Sequence, residues 1–184
     1  MEGCWHASRE VSMTLYKYSS PAGCILLGST GNELCLCKWE AAYEQSAQQN
    51  TGKTVYGHDK IICETIKQLD EYFNVERTVF NLSLSINGTD FQQRVWQELA
   101  RIPYGTTITY GELARRIGNA KASRAVAMAC HNNPISIIIP CHRVIGSNGK
   151  LTGYAGGLDK KAILLDIENN LFINYFKTTC KNYY

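Results

Sequence analysis

The sequence predicts an α+β protein, in which a small α/β domain with an antiparallel sheet is followed by a mainly helical domain. Apolar and polar residues alternate in short runs over residues 13–39, with glycines between the runs, which is typical of antiparallel strands. From residue 89 onward, apolar residues recur at helical spacing behind capping residues. A chain of 184 residues is long enough for one large or two small cores.

The first half is predicted to contain strands, one helix and a loop. Three strands are predicted first, over residues 13–18, 24–27 and 34–39. The polar residues 41–58 are predicted to form a loop. Asp59 is a candidate N-cap for a helix with an apolar face formed by Ile62, Ile66, Leu69 and Phe73. The apolar residues 79–86 predict one further strand, which the Asn87-Gly88 turn ends.

Short capped helices are predicted for the second half. Thr89 and Gln92 form a capping-box pattern at the start of a helix that ends by Pro103. Thr109 and Glu112 repeat the pattern at the start of a second helix.

A tight turn at Gly118-Asn119 separates the second helix from a third over residues 122–130. Two short helices joined by such a turn predict a helix-turn-helix. Residues 147–150 predict a hairpin turn, interpreted as a wing. Asp159 is a candidate N-cap for a last helix that runs to Glu168.

Basic charge is concentrated in the second half of the chain. Residues 1–90 carry 7 basic and 11 acidic side chains (net −4), whereas residues 91–168 carry 10 and 5 (net +5). The tail from residue 169 adds two lysines, and the whole chain has a net charge of +3. This distribution fits either a polyanionic partner for the second half or a solvated basic face.

The composition excludes several classes of protein. No apolar run is long enough to span a membrane, and the N-terminus lacks the apolar core of a signal peptide. We therefore expect a cytoplasmic protein with reduced thiols, and interpret residues 1–12 as a leader or a cloning remnant. The eight cysteines include no C-x-x-C pair. A metal site using Cys4, Cys24 or His6 stays open, but zinc-ligand spacing is absent and no metal is expected.

The predicted recognition helix consists almost entirely of small residues, with Arg124 as its one long cation. A helix that reads base edges in the major groove normally carries several Asn, Gln, Arg or Lys side chains. This helix is instead suited to approach a DNA backbone or minor groove with little sequence readout. Packing of the alanines against neighbouring helices explains the same pattern equally well.

Cys141 and His142 are the residues with the clearest chemical potential. A thiolate is a strong nucleophile, and a nearby base raises the thiolate fraction. Adjacent residues of an extended chain point to opposite sides, so we expect a water to connect Cys141 and His142. Without further context, an inert buried cysteine beside a capping histidine is the commoner case for such a dipeptide.

The stretch from Phe91 to Glu168 contains the segments FQQRVWQEL, IPYGTTITYGELA, SRAVAMA, NNPISIIIPCHRVIGSNGKLTGYAGGL and LLDIE. These segments resemble the O6-alkylguanine-DNA alkyltransferases throughout, and PCHRV is a strong motif by itself. The first half is similar less specifically, through YSSPAG and the strand pattern. The resemblance implies an RNase H-like domain over residues 13–86, a winged helix-turn-helix alkyltransferase domain over 90–168, and a tail over 169–184.

The resemblance also implies a reaction: irreversible transfer of a methyl or larger alkyl group from a flipped O6-alkylguanine in DNA to a cysteine, once per molecule. Cys141 matches the alkyl acceptor, His142 the base that deprotonates it through a water, and Glu168 the carboxylate that orients the histidine. Asn133 matches the asparagine that supports the active-site turn. Tyr110 matches the tyrosine that hydrogen-bonds the guanine and stabilises it as a leaving group.

Further positions match the family's DNA contacts. Arg124 matches the arginine that fills the gap left by the flipped nucleotide, and Ser123 and Ala125 flank it on the recognition helix. The wall of the base pocket is matched by four residues: Val144, Tyr154, Ala155 and Gly156. The implied partner is double-stranded DNA bearing O6-alkylguanine, bound through the minor groove by a monomer without a cofactor. O4-alkylthymine stays open as a second lesion.

The chain departs from the family pattern at a few positions. Ala155 stands where some relatives have a serine that contacts the lesion. His131 and Asn132 occupy positions that are often small or basic in relatives. Zinc-ligand positions of some relatives are not matched, and the aromatic residues of the tail have no counterpart: Phe172, Tyr175, Phe176, Tyr183 and Tyr184.

Three other functions fit part of the sequence. An alkyltransferase-like lesion sensor would bind damaged DNA but lack the acceptor, which Cys141 argues against. A winged-helix regulator would explain the helix-turn-helix and the basic half, but not the combination of Cys141, His142 and Glu168. A cysteine hydrolase would normally have its histidine far from the cysteine in sequence.

Overall fold

The N-terminal half is a four-stranded sheet with one long helix, in a computed structural model that describes residues 13–46 and 54–169. Its elements are β1 (Met13–Ser20), β2 (Gly23–Ser29), β3 (Leu34–Trp39), α1 (Glu40–Ser46), β4 (Thr54–Tyr56) and α2 (Lys60–Phe73). The first three strands form an antiparallel meander, and β4 pairs parallel to β1, giving the order β3-β2-β1-β4. The three strands predicted first and the helix after Asp59 are confirmed. The predictions for residues 1–12 and for the aromatic tail lie outside the described residues.

The alternation of β1, β2 and β3 divides their side chains between the two faces of the sheet. Leu15, Leu26 and Leu36 form a small cluster on one face, with Tyr43 of α1 packed against it. The other face belongs to the main core, which contains side chains from both halves of the chain. The two halves therefore share one continuous apolar interior.

Two predictions for the first half are wrong. The predicted loop over residues 41–58 contains most of α1 and all of β4, because pairing with β1 orders a polar segment that has no periodicity of its own. The predicted strand over 79–86 is an extended segment with a single bridge, between Leu34 and Leu84. Leu34 is the first residue of β3, so this segment finds only one residue to pair with.

The described part of the second half contains α3 (Asp90–Ala100), β5 (Ile108–Thr109), α4 (Tyr110–Arg116), α5 (Ser123–His131), β6 (Val144–Ile145) and α6 (Leu158–Glu168). The helix-turn-helix is α4 and α5, joined by a turn in which Gly118 has a φ of 79°. Thr89 and Gln92 form both hydrogen bonds of a capping box at α3. Thr109 caps α4 through the Glu112 amide. These helix starts confirm the capping predictions.

Two further predictions need correction. The turn at residues 147–150 is present, with Gly146 N donating to Lys150 O at 3.0 Å, but no second strand follows it, and β6 pairs parallel to β5 instead. Asp159 is not the N-cap of α6, because the helix begins one residue earlier, after Gly157. Asp159 lies in the first turn, where its negative charge still favours the helix dipole.

Backbone hydrogen bonds join the two halves directly beside the PCHR motif. Cys37 N in β3 donates to Pro134 O at 2.8 Å, and Ser136 N donates to Cys37 O at 2.7 Å. The segment that leads to Cys141 therefore extends the N-terminal sheet at its β3 edge. Among the described residues, no helix is both long and apolar enough to cross a bilayer.

Candidate active site

Cys141 is a buried thiol, 4% exposed, at the start of a single 3-10 turn over Cys141–Arg143. The chain enters this turn under strain, because Ile137 is β-branched and has a φ of 72°. Such conformations persist where the surrounding structure determines them, often at functional sites. Because residues 141–143 form a 3-10 turn, the expectation of an extended chain at Cys141-His142 is wrong.

Asn133 holds the 3-10 turn over Cys141–Arg143, which carries the predicted acceptor and is called the acceptor turn below, in place from the end of α5. Its Nδ2 donates to Ile139 O at 2.8 Å and to Cys141 Sγ at 3.3 Å, and its Oδ1 accepts from Ile135 N at 3.0 Å. The side chain is 2% exposed, so these contacts satisfy groups that water does not reach. This geometry matches the supporting role that the resemblance implies.

Glu168 is the centre of a buried polar cluster behind the acceptor turn. His142 Nε2 lies 2.8 Å from its Oε1, and the Tyr72 hydroxyl donates to the same oxygen at 3.0 Å. Arg143 binds the carboxylate with two nitrogens, Nε to Oε2 and Nη2 to Oε1, both at 2.9 Å. Gly105 N donates to Oε2 at 3.1 Å. The last residue of α6 is thus tied to the acceptor turn and to both halves of the chain.

The cluster favours an ionised Glu168 and a neutral His142. Burial would raise the pKa of Glu168, but hydrogen bonds from His142 and Arg143 and the charge of Arg143 hold it at about 2. Burial lowers the pKa of His142, and Glu168 offsets only part of that decrease. Because Arg143 already balances the carboxylate, His142 is not needed as a cation, and a neutral imidazole can accept a proton.

The free nitrogen of His142 is directed into the interior. Nε2 donates to Glu168, so Nδ1 is the basic nitrogen of the neutral ring. Nδ1 is buried and has no hydrogen-bond partner among the described residues. A buried polar atom without a partner is uncommon in native proteins, and a bound water is one way to satisfy it.

Lys161 brings a second cation close to the thiol. It is fully buried, and its Nζ donates to Val144 O at 2.5 Å and to Thr152 O at 2.8 Å. Burial lowers the pKa of Lys161, and the neighbouring Cys141 raises it in part. Burial also raises the pKa of the Cys141 thiol, whereas the Asn133 hydrogen bond and the Lys161 charge lower it. Lys161 therefore favours the thiolate while joining two segments of chain.

Tyr110 lies at the start of α4, facing the 152–153 segment. Its hydroxyl donates to the carbonyl oxygens of Thr152 and Gly153, at 3.1 and 3.0 Å. Burial and the nearby Cys130 and Cys141 thiols raise its pKa to about 12, so Tyr110 remains a neutral hydrogen-bond donor at neutral pH. A nucleobase bound in this region would compete with the two carbonyl oxygens for the hydrogen bond that the Tyr110 hydroxyl donates.

The recognition helix α5 presents Arg124 and Ala125 at its exposed surface, whereas Ser123 is half-buried. Val126 and Ala129 on its other side are buried in the core. Both interpretations of the small residues therefore apply, each to a different face of the helix. Arg124 lies on this exposed face and is not part of the buried Glu168 cluster.

The segment predicted to form the pocket wall is held by the N-terminal domain. Val144 is fully buried in β6. The Tyr154 hydroxyl accepts a hydrogen bond from Trp39 Nε1 at 3.0 Å, and Gly156 packs against the same indole. Ala155 lies in a surface cleft whose other lining residues are Lys38, Ala42, Gln45, His131 and Asn132.

Sequence patterns did not single out four residues that contribute to the site: Trp39, Tyr72, Arg143 and Lys161. Arg143 lies inside the PCHRV motif, and this position next to Cys141 and His142 is the one signal in the sequence that could have indicated its role. Tyr72 has the helical spacing of a core residue of α2 and contacts Glu168, 96 positions away. Such contacts follow from the tertiary fold, not from local periodicity.

The chain is similar to proteins of known activity over most of its length. The family model of the 6-O-methylguanine DNA methyltransferase DNA binding domain matches residues 90–170, and that of the ribonuclease-like domain matches residues 13–86. A methylated-DNA–protein-cysteine methyltransferase of Methanosarcina acetivorans is 55% identical over 113 residues, 61% of this chain and 72% of that protein. One of Mycobacterium tuberculosis is 46% identical over 153 residues, 82% of this chain and 89% of that protein.

Solved structures agree with these relatives. The crystal structure of Mycobacterium tuberculosis O6-methylguanine methyltransferase superposes with a TM-score of 0.76 at 43% identity, covering 86% of this chain and 93% of that one. The structure of Mycobacterium tuberculosis OGT in complex with DNA gives a TM-score of 0.77 at 41% identity, covering 87% and 94%. These similarities confirm the α+β fold and the resemblance stated above. The chain belongs to the methylated-DNA–protein-cysteine methyltransferase family.

Proposed function

We propose that this protein repairs DNA by direct reversal, transferring the alkyl group of O6-alkylguanine to Cys141. The observation that carries the proposal is the buried His142–Glu168 pair beside the thiol, with Nε2 and Oε1 2.8 Å apart. An ionised carboxylate behind a neutral histidine is the arrangement that a triad uses to activate a nucleophile. Membership of the family makes alkyl transfer the reaction that this arrangement serves.

The first step of the reaction is removal of the proton from the Cys141 thiol. A water between Cys141 Sγ and His142 Nδ1 would pass this proton to the imidazole, and Glu168 stabilises the imidazolium that forms. Burial opposes this step, because it raises the pKa of Cys141 and lowers that of His142, and the interaction with Glu168 offsets part of the decrease at His142. The Lys161 cation assists by stabilising the thiolate while it persists.

The thiolate then displaces guanine from the alkyl carbon. A carbon–sulfur bond forms as the bond between the carbon and O6 breaks, and the electron pair goes to the guanine. Hydrogen-bond donation from Tyr110 to the base stabilises this leaving group. The guanine then takes up one proton, and the His142 imidazolium gives up the one that it received from the thiol, so atoms and charges balance. The thioether product has no route back to a thiolate, and each molecule acts once.

The lesion must leave the helix to reach a buried thiol. Nucleotide flipping costs a few kcal/mol, and an inserted side chain can offset part of that cost. Arg124 is the exposed long side chain of α5 that we assign to this role, with Ser123 and Ala125 beside it. The small residues of α5 favour close approach through the minor groove.

We assign different roles in the reaction to the two domains, and we propose that the protein acts as a monomer. Residues 90–168 hold the reacting groups and the helix-turn-helix, and residues 13–86 support them across the shared core. Val144, Tyr154, Ala155 and Gly156 form the pocket wall. The acceptor thiol must stay reduced, which favours the cytoplasm.

Stoichiometry distinguishes this proposal from its alternatives. Duplex DNA carrying radiolabelled O6-methylguanine, in excess over the protein, should transfer one methyl group per protein molecule and then stop. Binding without transfer would instead indicate a lesion sensor. Release of methanol over many turnovers would indicate a hydrolase. A parallel duplex with O4-methylthymine tests the second lesion.

A further inference from the structure

We infer that Trp39, in the N-terminal domain, is a positioning residue for alkyl transfer, because it holds Tyr154 and the 154–157 loop against the pocket beside Cys141. This inference rests on the proposed function, since the loop matters only if a base is bound there. It assigns the N-terminal domain a role in the reaction beyond completing the core.

Strand β3 supports both segments of chain that flank the acceptor. Cys37 pairs with the segment before Cys141, through backbone hydrogen bonds to Pro134 and Ser136. Trp39 lies two residues further along β3, and alternate residues of a strand share a face. Its side chain contacts the segment after Cys141, at Tyr154 and Gly156. One edge strand therefore sets the separation of the two segments.

The contact between Trp39 and the loop is close and specific. The indole is 1% exposed, and its Nε1 donates to the Tyr154 hydroxyl at 3.0 Å. A Cβ added to Gly156 would lie 2.1 Å from Trp39 Cδ1, a distance at which only glycine fits. Lys160 Nζ lies 5.7 Å from the centre of the indole ring, within the range of a cation–π interaction. Trp39 thus contacts the loop at Tyr154 and Gly156, and it also contacts Lys160 of α6.

Tyr154 connects this support to the reacting thiol. Its phenol is partly buried, and its pKa is raised by burial and then by the nearby Cys141 thiol, so it stays neutral beside the acceptor. The indole N–H is a donor only, and Ser136 also hydrogen-bonds the phenol. Loss of the indole N–H would free the phenol to rotate.

Replacement of Trp39 by Phe keeps a ring in the core and removes the hydrogen bond. Since one such bond contributes about 1 kcal/mol, we expect the first-order rate of methyl transfer at saturating DNA to fall about fivefold. Affinity for undamaged duplex should not change, because it depends on phosphate contacts, and the buried indole can make none. A separation of rate from affinity distinguishes positioning from general destabilisation.

The matched control is Tyr18→Phe, which also removes one hydrogen bond in the N-terminal domain. The Tyr18 hydroxyl donates to Asp70 Oδ1 at 2.7 Å, between β1 and α2 and away from the loop. This variant should lose similar stability and keep the wild-type transfer rate. A rate loss in Tyr18→Phe as large as that in Trp39→Phe would overturn the inference.

The decisive experiment is a double-mutant cycle between Trp39→Phe and Tyr154→Phe, read by single-turnover transfer from duplex O6-methylguanine at a temperature where every variant is folded. We expect the double variant to be no slower than the slower single variant, because each change removes the same hydrogen bond. Effects that multiply, or a Trp39→Phe rate within a factor of about 1.5 of wild type, would overturn the inference.

Wild-type transfer in the same experiment tests the proposed function separately. If the wild type fails to transfer, the proposed function fails, whereas wild-type transfer with an unaffected Trp39→Phe variant contradicts only the role of Trp39. Should Trp39→Phe not fold, the Trp39 indole proton is followed by NMR in Tyr154→Phe. We expect it to lose its protection from exchange, and retained protection would contradict the hydrogen bond.

Discussion

His142 Nε2 and Glu168 Oε1 are 2.8 Å apart, and both side chains are fully buried. Arg143 binds the same carboxylate, so the negative charge of Glu168 is balanced before His142 takes a proton. The pair therefore combines a fixed orientation of the imidazole with an unprotonated Nδ1 on the side away from Glu168. Most of the expected behaviour of the site follows from this relationship.

Replacement of Glu168 by Gln should slow transfer and destabilise the protein. The amide cannot stabilise the imidazolium, so we expect the single-turnover rate to fall by at least about tenfold. It also leaves Arg143 as a buried cation without its partner, which costs about 3–5 kcal/mol in the free energy of unfolding. Urea unfolding and transfer kinetics measure the two effects.

A control for Glu168→Gln is Glu98→Gln, which removes the partner of Arg101 in an exposed pair on α3. Exposed pairs contribute at most about 1 kcal/mol, so this variant should match the wild type in both measurements.

The stability defect of Glu168→Gln should also shrink in acid. The pKa of Glu168 is about 2 in the folded protein, against an ordinary value of 4.5, so its stabilisation is present above pH 4.5 and lost as the pH falls towards 2. A defect that is constant from pH 7 to pH 3 would argue against the ionised carboxylate.

The pH dependence of transfer should report His142. Its pKa is lowered below 6.5 by burial, and only the neutral ring accepts a proton, so the rate should fall in acid as the pH drops through that lowered pKa. Glu168 stays ionised throughout this range. Single-turnover rates between pH 5 and 9 measure the profile. A His142→Phe variant should be slow and lack this acid limb, and an acid limb centred above pH 6.5 in the wild type would contradict the assignment.

Replacement of Asn133 by Ala should loosen the acceptor turn. The change leaves the buried Ile135 N without its partner, and an unsatisfied buried group costs about 1–3 kcal/mol, whereas Ile139 O still accepts from Cys141 N. We expect a loss of about 1–3 kcal/mol in urea unfolding and a slower transfer. Asn169→Ala is the control, since its amide bonds Leu165 O at the exposed end of α6. Equal stability losses in the two variants would show that the buried contacts of Asn133 are not special.

Replacement of Arg124 by Ala should impair flipping and leave folding intact, because Arg124 is exposed. With a few kcal/mol needed for flipping, we expect transfer from a paired lesion to slow by about tenfold or more. The defect should be smaller in a duplex with an abasic site opposite the lesion, where the stack is already disrupted. The control is Arg115→Ala, which removes an exposed cation from α4 and should slow transfer from the two duplexes equally. If Arg124→Ala slowed transfer equally from the two duplexes, Arg124 would act as a phosphate contact and not in nucleotide flipping.

Local patterns in the sequence predicted the parts of the site that local chemistry determines. The caps Asp59, Thr89 and Thr109 are each followed by a helix, as expected. Asp159 is not the cap, because Gly157, with a φ of 97°, is the N-cap of α6, two residues earlier than predicted.

Contacts between distant segments account for what the sequence did not reveal. Residues 54–56 form strand β4 because they pair with β1. The 79–86 segment does not form a strand because it makes a single bridge, between Leu84 and Leu34. Trp39 and Tyr154 are 115 positions apart, and Tyr72 and Glu168 are 96 apart. No periodicity within a window of ten or twenty residues contains such pairs.

The mass of the intact protein after reaction with duplex O6-methylguanine tests the central claim most directly, in the wild type and in Cys141→Ser. We expect a gain of about 14 Da, one methyl group, in the wild type alone, and peptide mapping should locate it on Cys141. A wild type that binds the lesion tightly without gaining mass would contradict the account, as would a methyl group found on another residue or retained in Cys141→Ser.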